Sequence, residues 1–364
     1  MGKTLLFITT SLGYGGAAKV LCFVAQALSD RGYNVHIANI KSTYSGVEQR
    51  LSEKVTVHDV HSERGRGIRR LEELHKIERL AKSIGTDVII GFTYYPNIMA
   101  SMAAKRLGVK SIVSERGDPY QTIGNGAVSK CMLAIINSAD GAVFQTDGAK
   151  QFYANKLQLK GRVIPNPIFL PAEGVPERKA ESITKTIVCV GRLDNRQKRY
   201  DVALEAFAIF LQSHPAYTLR IIGEGPDEGN IRAQCKLLKI EDKVKFMGKS
   251  SHTMRDIAND GIFLITSDFE GISNSLLEAM ALGLPCVSTD HSPGGARFLI
   301  DDHQNGLLVP VGDSRRVANA LSEFADIPDF AEQCGERAKM VKERFEPQRI
   351  ITEWDSYIAQ VCND

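Results

Sequence analysis

Short apolar runs alternate with helical patterns along the whole of this chain, and the alternation stops once and starts again. Strands are expected at 5–10, 35–40, 55–60, 87–92, 111–115 and 141–145. A charged, proline-bearing stretch follows from 163 to about 185, and strands resume at 186–190, 219–222, 244–247, 263–266, 286–288 and 307–309. Helical patterns such as 202–212 and 315–324 fill the intervals. Strands that alternate with helices build parallel sheets covered on both faces. The 364 residues exceed what one hydrophobic core usually organises, so the break reads as an inter-domain linker. The expected fold is α/β: two Rossmann-like, doubly wound domains in tandem, residues 1–168 and 169–345, with a last helix in 346–364. Ligands of such sheets bind beyond the carboxyl ends of the strands, which makes a cleft shared by the two domains the expected site.

Composition narrows the class. Hydrophobic residues at 43% and charged residues at 24% describe a soluble globular chain. No run of about 18 apolar residues is present, so no membrane span is expected. Residues 4–10 lead straight into a glycine-rich turn, as a first strand does and a secretory leader does not. The seven cysteines are scattered and sit mostly in apolar runs. They read as small core residues in a reducing, cytoplasmic setting, with neither metal nor disulfide implied. The net charge of +2 conceals an asymmetry: residues 1–170 carry 22 Lys+Arg against 13 Asp+Glu, and 171–364 carry 23 against 30. Only the first half is thereby suited to an anionic surface or substrate, and no nucleic-acid partner is expected.

The stretch 267–289 reads S-D-F-E-G-I-S-N-S-L-L-E-A-M-A-L-G-L-P-C-V-S-T: a strand end, a polar turn, an apolar helix, a Gly-Leu-Pro stop and another strand. Glu270 and Glu278 stand a little over two helical turns apart, so both acids can point toward one end of the sheet. Between them Gly271, Ile272, Ser273, Asn274 and Ser275 present free backbone N–H groups where the helix begins, a setting that attracts phosphates. Taken alone, Ser273 or Asn274 is a helix cap and Glu270 a surface acid.

The segment resembles the nucleotide-sugar glycosyltransferases of family 4, whose signature is a Glu, seven residues, a second Glu, an Ala-Met-Ala-type helix and a Gly-x-Pro stop. In that family the first Glu lies beside the donor sugar and the second holds the ribose hydroxyls, roles that fall on Glu270 and Glu278. The resemblance spans nearly the whole chain and implies the GT-B fold, in which a last helix, here 348–361 with Trp354, crosses back to the first domain. It also implies retention of the anomeric configuration and a UDP-sugar donor in preference to a GDP- or ADP-sugar.

The stretch 191–199, G-R-L-D-N-R-Q-K-R, places four cations at a strand exit, a suitable clamp for a leaving diphosphate. Arg192 and Lys198 match the family's Gly-Arg-Leu and following Lys; Arg196 and Arg199 are additional. No Asp-x-Asp occurs, so cations are expected to take the place of a metal, and no cofactor is expected. Gly15 and Gly16 belong to a glycine loop after the first strand, where the family reaches over the donor and where a tight turn is the plain alternative. The spacing is not Gly-x-Gly-x-x-Gly, and no acid ends the second strand, which speaks against a dinucleotide. Gly223 in Gly-Glu-Gly-Pro, and Met247 and Lys249 in Phe-Met-Gly-Lys, resemble the turns that read the nucleotide; each is equally an ordinary strand exit. Related polysaccharide and lipid-linked glycan enzymes carry Ser-Glu-His where this chain has Ser114, Glu115 and Arg116. An Arg does not act as a base, so Glu115 and Arg116 are assigned to the acceptor side, as anion or hydroxyl recognition, or else form a plain surface pair.

Residues 64–84 form one apolar stripe, Ile68, Leu71, Leu74, Ile77, Leu80 and Ile84, with seven Lys/Arg and three Glu between Arg64 and Lys82. The stripe packs on a sheet. The basic face is free to meet an anionic membrane surface peripherally, without insertion, on the cytoplasmic side. The reading is a glycosyltransferase acting on a glycan or polyprenyl-diphosphate-linked acceptor. A nucleotide-sugar 2-epimerase or hydrolase of the same fold, and a silent nucleotide-sugar-binding subunit, are the alternatives.

Overall fold

The computed structural model describes residues 2–363 apart from 14, 45, 47–50, 125, 157–160, 172–173 and 179–181. The chain divides into two compact units, Met1–Pro167 together with Pro347–Asp364, and Ile168–Glu346.

The first unit holds seven parallel strands: β1 (Thr4–Thr9), β2 (Asn34–Asn39), β3 (Val55–Asp59), β4 (Val88–Phe92), β5 (Lys110–Glu115), β6 (Gly141–Phe144) and β7 (Gly161–Val163). Their order is β3-β2-β1-β4-β5-β6-β7, so the winding reverses between β1 and β4. Both of these central strands are buried along their whole length, because helices cover the two faces of the sheet. The helix Pro347–Asn363 packs against the helix Gly16–Asp30. Its Tyr357 hydroxyl accepts the β6 Ala142 N–H at 2.8 Å, and Asp355 accepts from Arg31 at 3.0 Å and Tyr33 at 2.7 Å. Gly141 makes room for it, since a Cβ there would lie 2.8 Å from the Tyr357 hydroxyl.

The second unit holds β8 (Thr186–Val190), β9 (Thr218–Ile222), β10 (Val244–Phe246), β11 (Ile262–Ile265), β12 (Cys286–Thr289) and β13 (Leu307–Val309). They are again all parallel, in the order β10-β9-β8-β11-β12-β13, with the reversal between β8 and β11. At such a reversal the two neighbouring helices depart to opposite faces and leave a crevice at the carboxyl ends. The residues singled out in the second half of the sequence all follow β8, β9, β10 or β11 at this end.

Candidate active site

The loops leaving β8, β9 and β10 lie backbone on backbone. The Gly191 N–H donates to Ile222 O at 3.0 Å, and the Gly223 N–H to Gly248 O at 2.8 Å. Gly223 sits at φ +147°, and a Cβ there would fall 1.9 Å from Gly191 O, so no other residue fits. Gly225 is pressed against Leu193 in the same way, with a Cβ-to-backbone distance of 2.3 Å. Glycine spacing thus brings the 191–199 loop beside the turn after β9, and Gly248 carries Met247 and Lys249, both exposed, alongside.

Lys198 ends the short helical turn Asn195–Lys198, and its Nζ donates to Glu270 Oε1 at 2.5 Å. The Ser267 hydroxyl donates to the same oxygen, also at 2.5 Å. Both side chains of the pair are largely out of water, 14% and 9% exposed. Burial drives the Glu270 pKa up, but Lys198, the Ser267 hydroxyl and, at acid pH where it is protonated, His291 outweigh it and hold the carboxyl below its ordinary range. Glu270 is therefore a carboxylate at neutral pH. His291 is the mirror case: burial lowers it and Glu270 only partly opposes, so its ring is neutral at neutral pH, and its Nε2 is buried without a hydrogen-bond partner among the described residues.

The helix Asn274–Leu282 begins directly after Ser273, whose side chain makes no capping bond to it. Ser275 Oγ instead donates to Val190 O at the end of β8 at 3.1 Å, which fixes the first turn of this helix beside the Lys198 loop. Gly271 and Ile272 are buried under Gly295, where a Cβ would lie 1.8 Å from Gly271 O. Glu278 is half-buried in the second turn. The result is one region where a cation, a carboxylate and a helix N-terminus meet, which is what a sugar bonded to a departing diphosphate requires.

The four-cation clamp needs correction. Arg199, at φ +51°, gives Nη1 to both oxygens of Asp268 at 3.0 and 2.9 Å and its other nitrogens to Asp201. It is consumed in clipping two loops together, and Thr266 Oγ1 reinforces the clip by donating to Lys198 O and Arg199 O, each at 2.9 Å. Arg192 is exposed and paired with Asp194, while Arg196 is exposed. His291 is the residue that sequence reasoning missed. Its only signal was its place two residues past the end of β12, on the same carboxyl edge.

In the first unit, Gly15 and Gly16 open the helix Gly16–Asp30, with Gly15 at φ +149° and exposed; Tyr14 beside them lies outside the described residues. Glu115 and Arg116 are brought together at the end of β5, but not as a surface pair. Glu115 Oε2 accepts from the Tyr153 hydroxyl at 2.8 Å, and Oε1 from the Arg116 and Gly117 N–H groups at 3.0 Å each. Its pKa is raised by burial, which these bonds counter only in part. The Arg116 guanidinium lies 4.9 Å from the Phe92 ring centre and 5.2 Å from that of Trp354, and donates to Ser114, Ile164 O and Asn166. Burial, not a ligand surface, is therefore its setting, because the last helix returns to cover it; Nη2 alone is left without a partner among the described residues.

Residues 176–341 match the glycosyl transferases group 1 family and residues 14–170 match Glycosyltransferase Family 4. An uncharacterized glycosyltransferase of Haemophilus influenzae is 25% identical over 359 residues, 97% of this chain and 99% of its own. The N-acetylgalactosamine-N,N'-diacetylbacillosaminyl-diphospho-undecaprenol 4-alpha-N-acetylgalactosaminyltransferase of Campylobacter jejuni is 27% identical over 379 residues, 98% of this chain and all of its own. Among solved structures, Anabaena Alr3699/HepE in complex with UDP and glucose shares the fold with a TM-score of 0.84 at 18% identity, covering 98% of this chain and 100% of that one. The chain carries a Glycosyltransferase Family 4 domain followed by a glycosyl transferases group 1 domain, each on its own Rossmann-like parallel sheet.

Proposed function

We propose that this glycosyltransferase is a retaining, metal-independent enzyme that moves a sugar from a UDP-sugar to a hydroxyl of a glycan or polyprenyl-diphosphate-linked acceptor. The Lys198–Glu270 pair, buried beside the first turn of the helix Asn274–Leu282, carries the reading. In this mechanism the acceptor oxygen bonds to the anomeric carbon on the face from which the diphosphate leaves. The departing oxygen keeps the bonding electrons, and a donor phosphate oxygen takes the acceptor's proton. Arg192, Lys198 and the N–H groups near 273–275 neutralise the charge that develops on the diphosphate. Glu270 positions the donor sugar, Glu278 the ribose, and Gly223, Met247 and Lys249 flank the base. For Gly15 and Gly16 the assignment rests on the resemblance. The unit Ile168–Glu346 is assigned to the nucleotide sugar and the other unit to the acceptor.

Two likenesses support the substrate classes: the Anabaena protein is in complex with UDP and glucose, and the Campylobacter enzyme is named for a diphospho-undecaprenol acceptor. No helix among the described residues is long and apolar enough to cross a membrane. A lipid-linked acceptor is therefore met at a cytoplasmic membrane surface, through the cations of residues 64–84. The test is release of UDP from a panel of UDP-sugars, with and without acceptor, in EDTA, and the anomeric configuration of the product by NMR. A product of inverted configuration overturns retention. Activity lost to EDTA and restored by a divalent ion overturns metal independence, and equal turnover without acceptor identifies a hydrolase.

A further inference from the structure

The parallel neighbours β11 and β12 are apolar until their carboxyl ends, where both turn to hydroxyls. Thr266 and Ser267 follow Ile262–Ile265, and Ser288 and Thr289 close Cys286–Thr289. All four are buried, and Ser267, Ser288 and Thr289 are 0% exposed. A sheet end draws little stability from an interior hydroxyl that an apolar side chain of the same shape would not give. What a bonded hydroxyl adds is direction. Thr266 Oγ1 holds the backbone of Lys198 and Arg199, Thr289 Oγ1 donates to Ser267 O at 2.6 Å, and Ser267 Oγ donates to Glu270 Oε1 at 2.5 Å. Three of the four therefore fasten the loops that bear Lys198 and Glu270, and Ser267 touches the carboxylate itself.

Glu270 is held at both ends. Its backbone N–H donates to Ser292 O at 2.8 Å, where Phe269 and Ser292 form a parallel bridge. Its Oε1 accepts from Lys198 Nζ and from Ser267 Oγ, which occupies both lone pairs of that oxygen. Oε2 accepts no hydrogen bond among the described residues. The neighbouring titratable groups leave Oε2 open. His291 Nδ1 lies 3.4 Å from Ser292 O, and because a carbonyl only accepts, the proton of the neutral ring belongs there and Nε2 has none to give. The Tyr200 hydroxyl donates to Gly191 O at 3.1 Å. Lys198 by itself would not choose between the two oxygens, since an ammonium on a four-carbon stem is a point charge that either one satisfies. Ser267 makes the choice, because its short side chain leaves a backbone that Thr289 pins from β12.

We infer that Ser267 is a positioning residue for the transfer: with Lys198 it occupies Glu270 Oε1 and so presents Oε2 to a hydroxyl of the donor sugar, with Thr289 as its support. The inference rests on the reading that Glu270 lies beside the donor sugar, and it adds which oxygen of the acid serves and what aims it. The same bond favours the charged form of Glu270, in a field otherwise made by burial, Lys198 and His291. Loss of the Ser267 hydroxyl therefore raises the Glu270 pKa as well as freeing the carboxylate to turn.

The full chain and the variants Ser267→Ala, Ser267→Thr and Thr289→Val are titrated calorimetrically with UDP, UDP-glucose, UDP-galactose, UDP-N-acetylglucosamine and UDP-N-acetylgalactosamine. UDP release from the sugar nucleotide that the wild type binds most tightly is then followed from pH 4.5 to 8. Ser267→Ala should bind UDP within about twofold of the wild type, yet lose about tenfold in affinity for that sugar nucleotide and about ten- to a hundredfold in kcat. The acid limb of its kcat/KM profile should move to higher pH. Ser267→Thr keeps the hydroxyl and should restore both quantities to within about threefold. Thr289→Val, which leaves the hydroxyl of Ser267 in place, should show the same pattern at smaller size, and it carries the test if the threonine variant does not fold. Wild-type turnover with an unmoved acid limb in Ser267→Ala overturns the inference. So does an equal loss toward UDP and the sugar nucleotide, which marks a hydroxyl that only supports the fold. A wild type that takes up none of the five nucleotides sinks the UDP-sugar reading itself, whereas a preference for one sugar nucleotide that survives Ser267→Ala sinks the positioning role alone.

Discussion

Lys198→Met keeps the aliphatic stem of the lysine and deletes the ammonium that sits 2.5 Å from Glu270. Removing one member of a buried pair costs about 3–5 kcal/mol when the other stays charged. Glu270 has an escape, because it can bind a proton. In the wild type its folded pKa is depressed, so its contribution to stability is present above the unfolded value of about 4.3 and is lost as pH falls through the folded one. Without Lys198, burial is left as the largest influence with its main opponent gone, and the folded pKa moves above the unfolded one. The penalty in the variant is then absent below about pH 4.3 and grows as pH rises toward the new folded pKa.

Melting temperatures of wild type and variant should therefore converge near pH 4 and separate toward pH 7.5. At about 2–4 °C per kcal/mol for a unit of this size, the separation reaches about 6–20 °C if the charge is fully retained. Turnover should fall about 100–1,000-fold, the loss on removing one donor to developing charge. The assays are UDP release at saturating donor and differential scanning fluorimetry from pH 4 to 7.5. Adding Glu270→Gln to Lys198→Met should recover the melting temperature at pH 7.5 and leave the enzyme inactive. A loss of turnover below tenfold removes Lys198 from the diphosphate site. A melting difference that does not change with pH refutes the buried-pair argument.

Arg199→Met should lower kcat about ten- to a hundredfold while UDP binding, read by thermal shift, stays within about twofold, because the clip to Asp201 and Asp268 positions Lys198 and Glu270 without holding nucleotide. Gly223→Ala forces a Cβ to within 1.9 Å of Gly191 O at φ +147°, and should lower stability by at least about 2 kcal/mol in urea denaturation. His36 and His58 share a hydrogen bond of 3.0 Å between β2 and β3, and burial lowers both pKa values. Their contribution is full above the unfolded value of about 6.5 and is lost as pH falls through the folded values. The melting temperature should drop between pH 7 and 5, and His58→Gln should flatten that drop.

The strands were legible because parallel strands covered on both faces read as unbroken apolar runs, as β1 and β4 do. The short edge strand β7 was not, since Gly161 is selected by contact and not by propensity: a Cβ there would lie 2.3 Å from the Phe144 ring. The same division runs through the site. Glu270, Lys198 and the turn at 271–275 were singled out by the family resemblance that their spacing carries, since taken alone they read as a surface acid, a basic loop and a helix cap. Which cations are available is decided by acids elsewhere in the chain, for Arg199 by Asp268, 69 positions away.

Arg116 shows the limit most plainly. At the end of β5 an arginine looks like a ligand group, and only the return of the last helix, with Trp354 over the guanidinium, makes it an interior one. His291 runs the other way. A lone histidine has no local signature, and this one is buried near Glu270 because Gly295 lets the chain pack onto Gly271 O, where a Cβ would sit 1.8 Å away. Residue type and spacing therefore identify the chemistry a strand end can offer. Pairing over long sequence distances decides which of those groups remain for a ligand: here Lys198 and Glu270 in each other's field, Arg192 at the surface, and Arg199 given over to holding the loops that carry them.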